Sequence, residues 1–153
     1  MAEELLFRKD VKKELTWDLS LIYKDEDALM ADAARLESFT AQLEKDYKGR
    51  LDSADRINEC LDKLREIYGI VTLVGNYCEL ATSVDYYDTH NMELAGRMNR
   101  RISECMSSLS FIDSELSAKS DELINEAAQA SKESANYLKE VLRGKPHLLS
   151  PET

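Results

Sequence analysis

From Asp25 to Gly144 apolar residues return every third or fourth position. A chain written in that period buries its apolar side as helices, because only a helix brings positions i, i+3, i+4 and i+7 onto one face. The first stripe is Leu29, Ala33, Leu36, Thr40, Leu43 and Tyr47. The second is Ile57, Leu61, Leu64, Tyr68, Val71, Val74, Cys78 and Ala81, and the third is Met92, Ala95, Met98, Ile102, Cys105, Leu109, Ile112 and Leu116. The scarcity of turn residues agrees. The 153 residues include 5 Gly and 2 Pro, too few for the tight turns of a many-stranded sheet. The expected fold is all-α.

Local signals divide the stripes into elements. Asp25-Glu26-Asp27 is an acidic opening suited to the positive end of a helix dipole, and Gly49 is a natural stop. Asp52 or Ser53 can cap a second helix over 53–82, and Asp88 or Thr89 a third over 89–116. Two rods of matched length joined by a short loop should lie antiparallel as a long hairpin. Gly69 and Gly75 fall inside the second rod, which suggests a neighbouring backbone close by. Additional packed helices begin at Ser120 and beyond the Ser131–Ser134 interruption. Residues 1–24 have no helical period and read as an extended N-terminal segment with a tight turn, docked through Trp17, Leu19, Ile22 and Tyr23. The helical domain then spans 25–144, and 145–153, with Pro146 and Pro151, is an irregular C-terminal tail.

Charge narrows the partners. Thirty acids against twenty bases give −10, a surface that repels phosphate backbones and anionic bilayers. We therefore expect no nucleic acid and no membrane. Cys60, Cys78 and Cys105 are odd in number and never in C-x-x-C spacing. They read as buried thiols of a cytoplasmic protein, and the acidic start Met1-Ala-Glu-Glu is not a signal peptide.

Few residues suggest chemistry. Asp85-x-x-Asp88-x-His90 offers two carboxylates and an imidazole, but no fourth ligand stands at a recognisable spacing, so it reads as a helix cap in a solvated loop. His147 has no partnered carboxylate or nucleophile in view. Arg97, Arg100 and Arg101 could grip a carboxylate, although pairing with acids such as Glu93 and Glu104 is the simpler reading. Tyr68, Tyr77, Tyr86 and Tyr87 are candidates for a peptide-binding wall. There is no G-x-S-x-G, no H-E-x-x-H and no phosphate loop. No catalytic and no metal residue is expected in this chain.

Four segments, taken in order, resemble a known family. They are Leu15-Thr16-Trp17-Asp18-Leu19-Ser20-Leu21-Ile22-Tyr23, then Tyr47-Lys48-Gly49-Arg50-Leu51, then Ser108-Leu109-Ser110-Phe111-Ile112-Asp113-Ser114-Glu115-Leu116, and finally Lys145-Pro146-His147-Leu148-Leu149-Ser150-Pro151-Glu152. Each is similar to the N-terminal region of oligoendopeptidase F, a zinc metallopeptidase family related to thimet oligopeptidase. The resemblance implies a helical region that forms part of the wall of a deep peptide channel. The family's zinc site, an H-E-x-x-H helix with a later Glu, lies far downstream of this region. Zinc is therefore expected in a full-length parent and no cofactor in this chain. The implied partners are a C-terminal catalytic domain and the short peptides it cleaves, with the present chain a fragment inactive by itself.

The alternative is a free-standing α-helical protein-interaction module without catalysis. In either case the long helices carry surplus apolar residues, among them Val71, Leu73 and Leu80 in the second and Met98, Met106 and Phe111 in the third. Self-association as a twofold homodimer would cover them.

Overall fold

Side-chain caps set the helix starts, at Ser53 and Asp88 as expected and also at Asp25, which reads in the sequence only as part of an acidic opening. Asp25 Oδ1 accepts the Ala28 N–H at 2.9 Å, Ser53 Oγ accepts that of Arg56 at 3.3 Å, and Asp88 Oδ1 accepts those of His90 and Asn91 at 3.0 and 3.2 Å. Each satisfies donors that the first turn of a helix leaves without partners. In the computed structural model, which describes residues 10–147, the helices are α1 (Glu26–Tyr47), α2 (Ala54–Val84), α3 (Thr89–Ser108), α4 (Phe111–Ala118), α5 (Asp121–Ala130) and α6 (Lys132–Gly144). No strand occurs among the described residues, so the protein is all-α. What the sequence suggests for Met1–Lys9 and for Leu148–Thr153 lies outside the described residues.

The third rod is shorter than its stripe. It was expected to run over 89–116, but α3 ends at Ser108 and α4 begins at Phe111. Serine chemistry accounts for the break. Ser108 Oγ donates to the Cys105 carbonyl at 2.7 Å, and the N–H groups of Leu109 and Ser110 turn to i−3 carbonyls. Ser107, Ser108 and Ser110 all offer side-chain competition to the helical ladder. Leu109, Ile112 and Leu116 stay buried across the break, so the apolar spacing survives while the helix does not.

Further along, Ser131 alone separates α5 from α6. Its extended backbone ends the first helix, and its hydroxyl accepts the Ser134 N–H at 3.3 Å to start the second. Ser120 caps α5 through the Leu123 N–H at 3.3 Å.

The chain divides into two compact units, with the boundaries falling inside α1, α2 and α3. The first takes in the chain up to Glu37 together with Gly69–Glu104; the second takes in Ser38–Tyr68 and the chain from Cys105 onward.

In the first unit, residues 10–24 form two single 3-10 turns, Lys13–Leu15 and Leu19–Leu21, joined by extended backbone at Thr16 and Asp18. Asp18 holds the second turn by accepting from the Ser20 N–H and hydroxyl, and these bonds lower its pKa. Tyr23 is buried and meets Tyr77 edge-on, with centroids 5.6 Å apart. Trp17 does not dock as expected: it lies in the link between the two turns and is 68% exposed. The buried residues of α1 to α3 here are Leu29, Ala33, Leu36, Ile70, Val74, Cys78, Ala81, Leu94 and Met98. Leu94 takes the buried place foreseen for Met92.

The second unit has a denser core: Leu43, Tyr47, Leu51, Ile57, Cys60, Leu61, Leu64 and Ile67, closed by Leu109, Phe111, Ile112, Leu116, Ile124, Ala127 and Leu138. Ile67 and Ile70 are buried where Tyr68 and Val71 were expected, since from Leu64 to Ile70 the buried face of α2 advances in steps of three residues. Gly49, at φ 75°, turns the chain out of α1, and its N–H donates to Glu115 Oε1 at 2.5 Å. Arg56 then lies over the Tyr47 ring at 4.3 Å and donates to the Asp46 carbonyl at 2.7 Å. The helical glycines serve no close approach: a Cβ at Gly69 or Gly75 would meet nothing within 4 Å.

Candidate functional site

Within the second unit, α2 and α6 line an open pocket of about 390 Å³, in the size range of small-ligand sites. Leu61 and Leu64, one helical turn apart on the buried face of α2, form its floor. Tyr68, 49% exposed, follows one turn on and forms one aromatic wall; Tyr137 of α6 forms the other. The Tyr137 ring is fixed in place because its hydroxyl donates to Asp113 Oδ1 of α4. Burial, the bond to Asp113 and nearby negative charge push the Tyr137 phenol well above its ordinary range, so it is a neutral donor at physiological pH.

The polar part of the pocket is a connected set. Arg65 donates from Nη1 to Asp62 Oδ1 at 2.7 Å and from Nη2 to Ser134 Oγ at 3.1 Å. Ser134 is 1% exposed, and its oxygen also accepts from the Ser131 hydroxyl at 3.3 Å. The Ser131 hydroxyl also lies 3.3 Å from Glu133 Oε2, so Ser131, Glu133 and Ser134 share one short hydrogen-bonded cluster. Glu133 and Asn136 complete the lining. Of these groups, sequence reasoning singled out only Tyr68. Tyr137 reads as one more apolar residue and Ser134 as part of an interruption, because their meeting with α2 depends on a separation of 69 residues.

Two further hollows are less suited to chemistry. One of about 120 Å³ lies beside Phe39, Gln42 and Lys63 in the second unit. The other, about 400 Å³ and in the first unit, is a groove of amides and hydroxyls from Thr72, Asn76, Thr82 and Asn99.

The remaining sequence candidates sit in the first unit. Tyr77 is half-buried against Tyr23. Burial raises both phenols, and Tyr23 also donates to Asp32 at 2.8 Å. Tyr86 and Tyr87 are 78% and 83% exposed in the connection between α2 and α3. In that connection Asp85 accepts the Tyr87 N–H at 3.0 Å, so both aspartates of the Asp85–His90 loop hold backbone. His90 instead meets Glu26 at 2.9 Å, and Arg97 reaches the other oxygen of that carboxylate at 3.3 Å. Arg101 pairs with Glu37 at 2.5 Å and holds that carboxyl below its ordinary pKa. Thus Arg97 and Arg101 reach to α1, whereas Arg100 lies 4.0 Å from Glu104 on its own helix.

Among the described residues no three His, Cys, Asp or Glu side chains come together to hold a metal. The three cysteines are buried and unpaired with one another. Burial, with the charge of Glu115 adding to it, pushes the Cys60 thiol up to about 12, and burial raises Cys78 as well. Neither is a thiolate nucleophile at neutral pH. No described helix is long and apolar enough to cross a membrane.

No protein-family model, no curated protein and no solved structure matches this chain.

Proposed function

We propose that the chain is a non-catalytic helical region of the kind that precedes the catalytic domain in oligoendopeptidase F-type zinc peptidases, where it would line the route taken by short peptides. Zinc and the hydrolytic step would belong to the catalytic partner. The observation that carries the reading is the state of the segment Leu15–Tyr23, one of the two most family-like stretches of the chain. Its turns leave Trp17 and Leu21 68% and 86% exposed. Covering such side chains is worth roughly 25 cal/mol per Å² of apolar surface, and a large partner docking there would supply the cover. Tyr86 and Tyr87 are similarly open to a peptide or a partner. The acidic surface suits traffic in peptides better than in polyanions.

The test is complementation. The chain is mixed with the separately produced H-E-x-x-H region of an oligoendopeptidase F-type enzyme, and complex formation and cleavage of an internally quenched short peptide are followed. Association at micromolar concentration with a gain of peptidase activity, both weakened by Trp17→Ala combined with Leu21→Ser, is the expected outcome. Absence of both association and activity would remove the proposal. Light scattering of the chain alone shows whether self-association competes for the same residues.

A further inference from the structure

We infer that the pocket of the second unit binds the carboxyl end of a short peptide whose last residue is apolar, with Arg65 on the α-carboxylate and Tyr68 and Tyr137 on either side of the terminal side chain. The apolar share of the ligand follows from the floor, Leu61 and Leu64, and from two rings that offer flat faces to an aliphatic or aromatic group. The carboxylate follows from the donors. A guanidinium has five N–H donors. Arg65 spends one on Asp62 and one on Ser134, which orients the group and leaves three for a ligand. Ser134, buried beside it, accepts from Arg65 and holds the guanidinium in position. A guanidinium held by protein contacts beforehand matches a planar carboxylate.

Charge selects the rest of the ligand. Asp62 and Glu133 outnumber Arg65 at this site, and the whole chain carries −10. A polyanion is repelled, whereas a zwitterion brings its own compensating ammonium. The pocket of about 390 Å³ suits one residue and the start of the next. The inference concerns the pocket alone, and its test contains no catalytic partner, so its failure and that of the proposed function are distinguishable.

The experiment is a titration of the ¹⁵N-labelled chain with Gly-Gly-Phe, its C-terminal amide and free phenylalanine. Gly-Gly-Phe should give saturable shifts confined to residues 61–68 and 133–137, with Kd on the order of 1 mM or tighter. The amide should bind about tenfold more weakly, and Arg65→Met should weaken the acid by a similar factor. Asn136→Trp, at an exposed position, should block the pocket without unfolding the chain. Equal binding of acid and amide would overturn the carboxylate assignment. Free phenylalanine binding as tightly as the tripeptide would overturn the peptide as occupant. No saturable shift up to roughly 10 mM, or no effect of Asn136→Trp, would remove the pocket as the site.

Discussion

The two units solve the same problem with different means. Both must bury one face of long helices. The second also holds α4, α5 and α6, and leaves only Tyr68 exposed among its described large hydrophobic side chains. The first has its segments of α1 to α3 and two 3-10 turns, and exposes Leu15, Trp17, Leu21, Leu73, Tyr86, Tyr87 and Met92. The first unit also relies on partly exposed ion pairs, Glu26 with His90 and Arg97 and Glu37 with Arg101, and carries Gly69, Gly75 and Gly96 within its helices. The lesson is about supply. A helix apolar on more than one side needs neighbours on more than one side. Where short capped helices provide them, a closed core and a shaped pocket result; where they are lacking, surface is left for something else to cover.

Replacing a core residue of the second unit tests this contrast at its greatest. Leu138 is fully buried, and Leu138→Ala should cost about 2–5 kcal/mol in chemical denaturation. Leu21→Ala in the first unit should stay within about 0.5 kcal/mol of the parent. Equal costs at the two positions would break the comparison.

The buried thiol of the second unit gives a pH signature. Cys60 in the folded chain holds its proton up to about 12, whereas its ordinary value is 9.0. Below about 9 both folded and unfolded states keep the proton, and the contribution is complete. As pH rises from 9 toward 12 the unfolded state releases it first, so stability falls across that window. Denaturation midpoints between pH 8 and pH 11 should decline, and Cys60→Ala should flatten the decline relative to the parent.

A pair of glycine substitutions should move stability in opposite directions. Gly49 stands at φ 75°, so Gly49→Ala in the second unit should destabilise by about 1 kcal/mol. Gly96 is exposed in α3, and a Cβ there meets nothing within 4 Å. Gly96→Ala in the first unit should stabilise by about 0.5–1 kcal/mol. Thermal melts read both, and a loss at Gly96 would mean that this helix is not limited by propensity.

The smallest effect belongs to the ion pairs. Arg97→Ala removes one of the two partners of Glu26, at a site where both side chains are substantially exposed. It should cost about 0.2–1 kcal/mol at low salt and less at high ionic strength. A larger, salt-independent loss would show that the first unit depends on this contact more than its exposure suggests.

Several features were legible from the residues because they are local. The stripe of α1 was read position by position, and Leu29, Ala33, Leu36, Thr40, Leu43 and Tyr47 are all buried. The caps at Ser53, Asp88 and Ser120 rest on bonds spanning a few residues, and the stop at Gly49 on its own backbone angle. Helical period and cap chemistry are written in neighbouring positions, so the all-α class and most helix ends follow from local residues alone.

Features that depend on distant partners emerged only in the folded chain. Tertiary packing set which turn of α2 faces inward, exchanging Tyr68 for Ile67, and it left Trp17 in the open. It alone joined Arg65 to Ser134 and Tyr137 to Asp113, and so made a pocket of residues that in the sequence read as one charge, one interruption and two apolar steps. The physical reason is that a stripe specifies that a face will be buried, while the identity of what covers it is fixed only when other helices arrive.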